Sequence, residues 1–290
     1  MTYLLLTIFL NVLIFALFKL FPRYGVDNLQ AIVVNYVTCV VTGSVFLGYI
    51  PFKTEHFSRP WFSWSLLMGA MFISIFNFIA FSIKKSSLTA TTVANKLSLV
   101  IPVLFSVWLY DEAMNLPKML GIFIAFPAVY LTTKTDEAQG QKNLLLPFLL
   151  FLASGALDTT VKYVEHHFLG EQHMQSVYLI HVFAMAACIG ISVIAIQKWR
   201  HKIALHWRNV LAGVLLGVPN YFSIYFFVRL LNDDFLQSSA AIPVNNIGIV
   251  ILSSVAAILF FKEQTTKQRI AGLCLSVLSI LLLLYGDMKG

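Results

Sequence analysis

The sequence predicts an all-α membrane protein of ten transmembrane helices, built as two inverted five-helix repeats. Three observations carry this. First, of 290 residues 59% are hydrophobic and only 11% charged, against roughly 45–50% and about 25% in a soluble domain, so no globular surface could be covered. Second, ten apolar runs are each long enough to cross a hydrocarbon core about 30 Å thick. Third, a set of residues recurs at one constant spacing in the two halves. The same composition excludes a disordered, collagen-like or disulfide-rich secreted chain. Cys39, Cys188 and Cys274 each sit inside an apolar run with no CxxC spacing and read as small packing residues.

In chain order the runs are 2–21, 28–50, 61–83, 88–110, 114–132, 144–166, 174–197, 209–230, 237–261 and 268–286. The first lacks a basic start and a small-residue cleavage site, so it reads as a span rather than a cleaved leader. The Pro22-Arg23-Tyr24-Gly25 segment closes it, and Pro51 and Pro60 bracket the second connection. Pro102 in the fourth run, Pro219 in the eighth and Pro243 in the ninth remove intrahelical donors and mark bends. The polar stretch Thr133 to Asn143, with Asp136, Glu137 and Gly140, reads as a linker between residues 1–132 and 144–290.

The repeat is visible in Asn95, Glu112, Lys118 and Gly121, matched by Asn246, Glu263, Arg269 and Gly272. Every pair is offset by 151 (246−95, 263−112, 269−118, 272−121), without a gap. Lys19 and Lys162 form a weaker match near the ends of the first and sixth runs. Five spans per repeat is an odd number, so the second copy enters the membrane from the opposite side. That is a common plan of secondary transporters, with the site near the midplane between the halves.

The segment from Asn95 through Lys96, Leu97, Ser98, Leu99, Val100, Ile101 and Pro102 to Phe105, then Asp111-Glu112 and Lys118-Met119-Leu120-Gly121, resembles the EamA-type family of the drug/metabolite transporter superfamily. Phe260-Phe261-Lys262-Glu263 through Ala271-Gly272 repeats the pattern, and a lysine near the end of the first run also suits it. The Trp-Gly pair that often precedes that lysine is missing; Asn11-Val12-Leu13 occupies its place. The resemblance implies a ten-helix inverted-repeat carrier for small polar or amphipathic metabolites, amino acids or drugs, without a cofactor. It also implies a central cavity lined by helices 1–4 and 6–9, with helices 5 and 10 peripheral.

Polar side chains within the runs are the candidate site, because a charge at mid-membrane costs at least about 2.5–3.5 kcal/mol on insertion scales. Lys96 lies about eight residues into the fourth run, and its repeat counterpart is Ile247, so symmetry does not demand it. It reads as a cation meeting an anionic group of a substrate, or as half of a structural pair. Asn95 and Asn246 sit at symmetric positions and offer donors and acceptors to a ligand or to a neighbouring helix. Asn245 points about 100° away from Asn246 around the helix. Asn77, Asn35, Asn220, Tyr221 and Tyr225 are further substrate-binding candidates, the two tyrosines one turn apart as an aromatic floor or as packing. Lys19 reads as a substrate contact or as a lysine snorkelling to the interface. Asp158 and Lys162, at i and i+4, share a helical face and can neutralise each other. Asp158 and His181 are the candidate proton carriers, with Lys162 as partner.

Glu165, His166, His167, Glu171 and His173 match no usual zinc spacing and read as a solvated turn; no metal or cofactor is expected. No P-loop, GxSxG, HExxH or GxGxxG stands in a strand–helix context, so neither ATP drive nor an enzyme is indicated. The net charge of +7 comes from single cations between apolar runs, which gives no stripe for nucleic acid. The expected partners are a small-molecule substrate and the lipid bilayer, with a second copy of the chain as a further candidate. Thirteen Lys/Arg flank the odd-numbered connections and six lie on the other side with the termini; Lys96 is the twentieth. The positive-inside rule would place the termini outside, whereas the resemblance implies cytoplasmic termini.

The function expected is therefore a secondary transporter working by alternating access. It would move a small polar or amphipathic metabolite bearing an anionic group, such as an amino acid-like solute, in the plasma membrane of a bacterium. The alternatives are a proton-coupled exporter of hydrophobic cations and, from another class, a receptor or assembly subunit that transports nothing.

Overall fold

The structure is a computed structural model describing residues 1–110, 114–133, 145–168, 172–201, 204, 206–231 and 238–289. Among these residues the ordered elements are helices: α1 (Thr2–Leu20), α2 (Asn28–Leu47), α3 (Trp61–Lys85), α4 (Leu88–Leu97), α5 (Val100–Tyr110), α6 (Leu116–Thr133), α7 (Leu145–Phe168), α8 (Gln172–His201), α9 (Trp207–Leu231), α10 (Ser238–Phe261) and α11 (Lys267–Lys289), with 3-10 turns at Phe21–Tyr24 and Thr54–Ser58. Nine stretches are long and apolar enough to span a membrane, α4 and α5 counting as one (Leu88–Phe105), and α6 is a shorter tenth apolar helix. This is a ten-helix all-α membrane protein, as the hydropathy predicts. The linker 134–143 and Glu112 lie outside the described residues.

The helix ends follow from local sequence. Gly25, at φ 59°, takes the left-handed conformation after Phe21–Tyr24, and its N–H returns to Phe21 and Pro22 carbonyls. Asp27 caps α2 by accepting from the Gln30 N–H, and Ser87 caps α4 by accepting from the Ala90 N–H. At the end of α10, Lys262 adopts φ 53°, which lets the Glu263 N–H close on the Ala257 carbonyl at 3.0 Å.

The chain forms two compact units, each drawing on both halves of the sequence. One comprises residues 1–19, 79–158 and 222–290; the other comprises 20–78 and 159–221. In the first unit the core is Val93, Ala94, Leu97 and Val100 against Ala125, Val129, Phe151, Val250, Ile280 and Leu283. Lipid is as apolar as these side chains, so close packing rather than escape from water holds them together. Here α6 and α11 run antiparallel. A Cβ on Gly121 would meet Leu283 and the Ser279 carbonyl at 3.0 Å, and one on Gly272 would meet Thr132 at 2.7 Å. Ser279 adds a hydroxyl bond to the Gly121 carbonyl at 2.7 Å. The repeat-matched glycines thus each admit the partner helix, as small residues do in membrane helix packing.

In the second unit α2 packs antiparallel to α8. Tyr36 stacks obliquely on Phe183, with centroids 5.9 Å apart, and Gly43 faces Ile180. Gly217 of α9 faces Thr38 and Asn35 of α2. Pro219 and Pro243 lie inside continuous helices. Pro102 behaves differently, because the fourth span is broken just before it.

Candidate functional site

The break in the fourth span is the feature from which the site grows. Pro102 cannot donate to the Ser98 carbonyl, and the Ile101 N–H takes that acceptor at 2.9 Å in a tighter turn. Helix α4 therefore stops at Leu97 and α5 starts at Val100. The halves have 10 and 11 residues, about 15 Å each at 1.5 Å per residue, so the break falls near the middle of a core about 30 Å thick. The negative end of one half-helix dipole and the positive end of the other meet there, an arrangement that discontinuous transporter helices use to hold charged solutes.

Three polar residues, Asn95, Lys96 and Ser98, stand at this break. Asn95 Nδ2 donates to Ser154 Oγ of α7 at 2.9 Å. The Ser98 hydroxyl lies 2.5 Å from the Asn95 carbonyl and 3.3 Å from Asp158 Oδ2. Lys96 and Asp158 act on each other as opposite charges. Ser154 and Asp158, one turn apart, present one face of α7 to α4. Asn95 and Lys96 are half-buried, and Asp158 is exposed in the middle of its helix. A carboxylate, a lysine, a serine and an asparagine thus gather within the membrane-spanning part of the chain, where a charge is costly unless it is balanced or used. The sequence reading joined Asp158 to Lys162 by local spacing. Lys96 of α4 is a further opposite charge acting on Asp158, and Lys162 is an exposed residue one turn further along α7.

Other predicted residues go elsewhere. Lys19 Nζ lies 2.9 Å from Glu263 Oε1, so this lysine ends in an ion pair instead of snorkelling. The same carboxylate accepts from the Leu88 N–H at 2.7 Å and the Thr89 hydroxyl at 3.1 Å, and Arg269 is 3.9 Å away. Glu263 thus ties the end of α1 and the α10–α11 connection to the N-terminus of α4. Burial pushes its carboxyl upward. The Lys19 ammonium and the Leu88 and Thr89 backbone N–H groups outweigh that and hold it below the usual carboxylate range. Asn77 returns its amide to its own helix, at the Ile73 carbonyl, 2.8 Å. Asn246 is buried in α10, and its neighbour Asn245 leaves a buried Oδ1 without a partner. Tyr225 accepts from Arg229 Nε at 3.0 Å and lies under its guanidinium.

In the other unit Asn220 Nδ2 donates to Asn35 Oδ1 at 3.1 Å, and Cys39 Sγ reaches the Gly217 carbonyl at 3.4 Å. These groups clasp α2 to α9 in a fully buried setting. Tyr221 is buried 6.3 Å from the Phe46 ring. His181 is buried, with Nδ1 on the Val177 carbonyl at 2.8 Å and Nε2 3.4 Å from His56 Nδ1. Ser98, Ser154 and His56 are the residues sequence reasoning missed. The i, i+4 spacing of Ser154 and Asp158 could have drawn attention to the first two, whereas nothing in the pattern marks His56. Among the described residues, no three His, Cys, Asp or Glu converge as metal ligands.

Residues 2–134 match the EamA-like transporter family, part of the drug/metabolite transporter superfamily. That match takes in a little under half of the chain, its first six helices. Over 296 residues the chain is 26% identical to an uncharacterized protein of Haemophilus influenzae, each covering 98% of the other. A protein of known crystal structure matches with a TM-score of 0.56 at 14% identity, each covering 96% of the other; at that identity the likeness shows a shared fold. The EamA-like match covers α1 to α6, including Asn95, Lys96 and the break after them.

Proposed function

We propose that this chain is a secondary transporter of the bacterial plasma membrane. It moves a small polar or amphipathic solute bearing an anionic group, amino acid-like solutes among them, by alternating access. The observation that supports this most is the mid-span break of α4–α5 with Lys96 beside it and exposed Asp158 opposite. Lys96 offers a charge to a carboxylate, Asn95 and Ser98 offer orienting hydrogen bonds, and Asp158 balances the lysine while the site is empty. An incoming anion exchanges one partner for another. Without Asp158 the empty site would leave a bare cation in the membrane, which is costly.

The test is counterflow in proteoliposomes loaded in turn with amino acids and other small carboxylates. Lys96→Ala should reduce counterflow of the accepted solute by more than tenfold, and unchanged counterflow would remove the role of Lys96. A chain that exchanges none of the solutes while binding one of them would be a receptor. A second reading, export of hydrophobic cations driven by protons, is favoured by the exposed carboxylate of Asp158. Dye efflux that ignores an imposed pH gradient would contradict it.

A further inference from the structure

We propose that His56 and His181 form a one-proton site, in which the connection between α2 and α3 is held against α8. His56 takes no part in the transport site above and lies in the unit that does not contain it. The chemistry follows from one fixed group. A carbonyl only accepts, so His181 Nδ1, 2.8 Å from the Val177 carbonyl, carries a hydrogen. In a neutral ring that leaves His181 Nε2 as a lone pair. His56 Nδ1, 3.4 Å away, is then the donor, and the remaining lone pair of the two rings is on His56 Nε2.

A first proton adds at His56 Nε2. The Nδ1–H···Nε2 bond between the rings is kept and becomes charge-assisted. A second proton has only the His181 Nε2 lone pair left to use. Adding it there breaks the bond and leaves two cations 3.4 Å apart. The pair therefore takes up one proton and resists a second.

The surroundings make that charge consequential. Phe52 and Trp61 lie with centroids 5.0 and 5.1 Å from His181, and Trp61 is 5.5 Å from His56. The connection also carries the ionisable residues Tyr49, Lys53, Glu55 and Arg59, and α8 carries Tyr178, Cys188, Lys198 and Arg200. Lys53 and Glu55 face each other at 3.6 Å on the surface, where such a pair is worth little. His181 also walls a cavity of about 370 Å³ with Val37, Val41, Phe52, Phe57 and Phe62. Taking up the proton places a cation on His56, 3.4 Å behind this wall at His181 Nε2.

The experiment is nitrogen-15 histidine NMR of the full chain in nanodiscs between pH 8 and pH 5, comparing wild type, His56→Gln and His181→Gln. In wild type the two rings together should take up one proton. In each variant the remaining ring should still take one, because its own lone pair is free. Two protons on the wild-type pair, or the loss of one proton from the wild-type total in His56→Gln, would show independent histidines and overturn the proposal. No uptake in wild type would overturn it as well. Should His181→Gln fail to fold, wild type against His56→Gln decides alone, and Trp61 emission, quenched by an adjacent imidazolium, gives a second readout in the same samples.

Discussion

Replacing Glu263 with Gln isolates the charge at the junction of α1, α4 and the α10–α11 connection while keeping an acceptor in place. The carboxylate receives the Lys19 ammonium at 2.9 Å and the Leu88 N–H at 2.7 Å, with its side chain 7% exposed and that of Lys19 24% exposed. Hydrogen bonds to a charged group contribute about 1.5–3 kcal/mol each, against about 0.5–1.5 for neutral ones. Two such bonds weakened by about 1 kcal/mol each give a loss of ~2 kcal/mol. For a chain of this size that lowers Tm by about 4 °C, measured by thermal unfolding in detergent. The folded carboxyl sits below its ordinary value. Its contribution is therefore complete above the unfolded pKa of about 4.3 and disappears as pH falls through the lower folded value. The gap between wild type and Glu263→Gln should hold from pH 7 to about pH 5 and close only once pH has fallen through the lower folded value. Equal stability at pH 7, or a gap that persists in acid, would refute this reasoning.

Further outcomes follow from the same contacts. Asp158→Asn should cut transport by more than tenfold, since Lys96 loses the opposite charge that balances it; full transport would separate Asp158 from the site. Gly155→Val places a Cβ onto the Ile101 side chain of α5 and should cost about 1–3 kcal/mol by overpacking, read as lower Tm. An unshifted Tm would mean that the contact is slack. Asn220→Leu strips Asn35 Oδ1 of its 3.1 Å donor and should cost about 1–3 kcal/mol. The double variant Asn35→Leu/Asn220→Leu should recover part of that, because neither polar group is then left unpaired; additive losses would argue against the clasp.

The ten spans were legible because a membrane crossing needs one long apolar run, a property of consecutive residues. Gly121 and Gly272 were legible as a pair through their common offset, although not the antiparallel contact of α6 with α11. Pro102 predicted a bend in the fourth run but not its position. The helix parts at Ser98–Leu99, where the acceptor that Pro102 cannot serve is taken by Ile101. At Asp158 the i, i+4 spacing pointed to Lys162 and gave no sign of Lys96, which acts on it from another helix. Lys19 had no acid nearby in sequence, because its partner is 244 positions away. His56 is one polar residue in a short connection. Only the return of α8 beside that connection gives it meaning, and no periodicity encodes that.

The central claim is that water and solute reach the break in the fourth span from the aqueous phase. The most direct measurement places a cysteine at Asp158 in a chain with Cys39, Cys188 and Cys274 replaced by Ala, reconstituted in liposomes. It follows labelling by a membrane-impermeant thiol reagent added from either side. Modification from both sides, slowed by the solute that counterflow identifies, is the predicted result. A cysteine that stays unmodified from both sides in the folded protein would contradict the account.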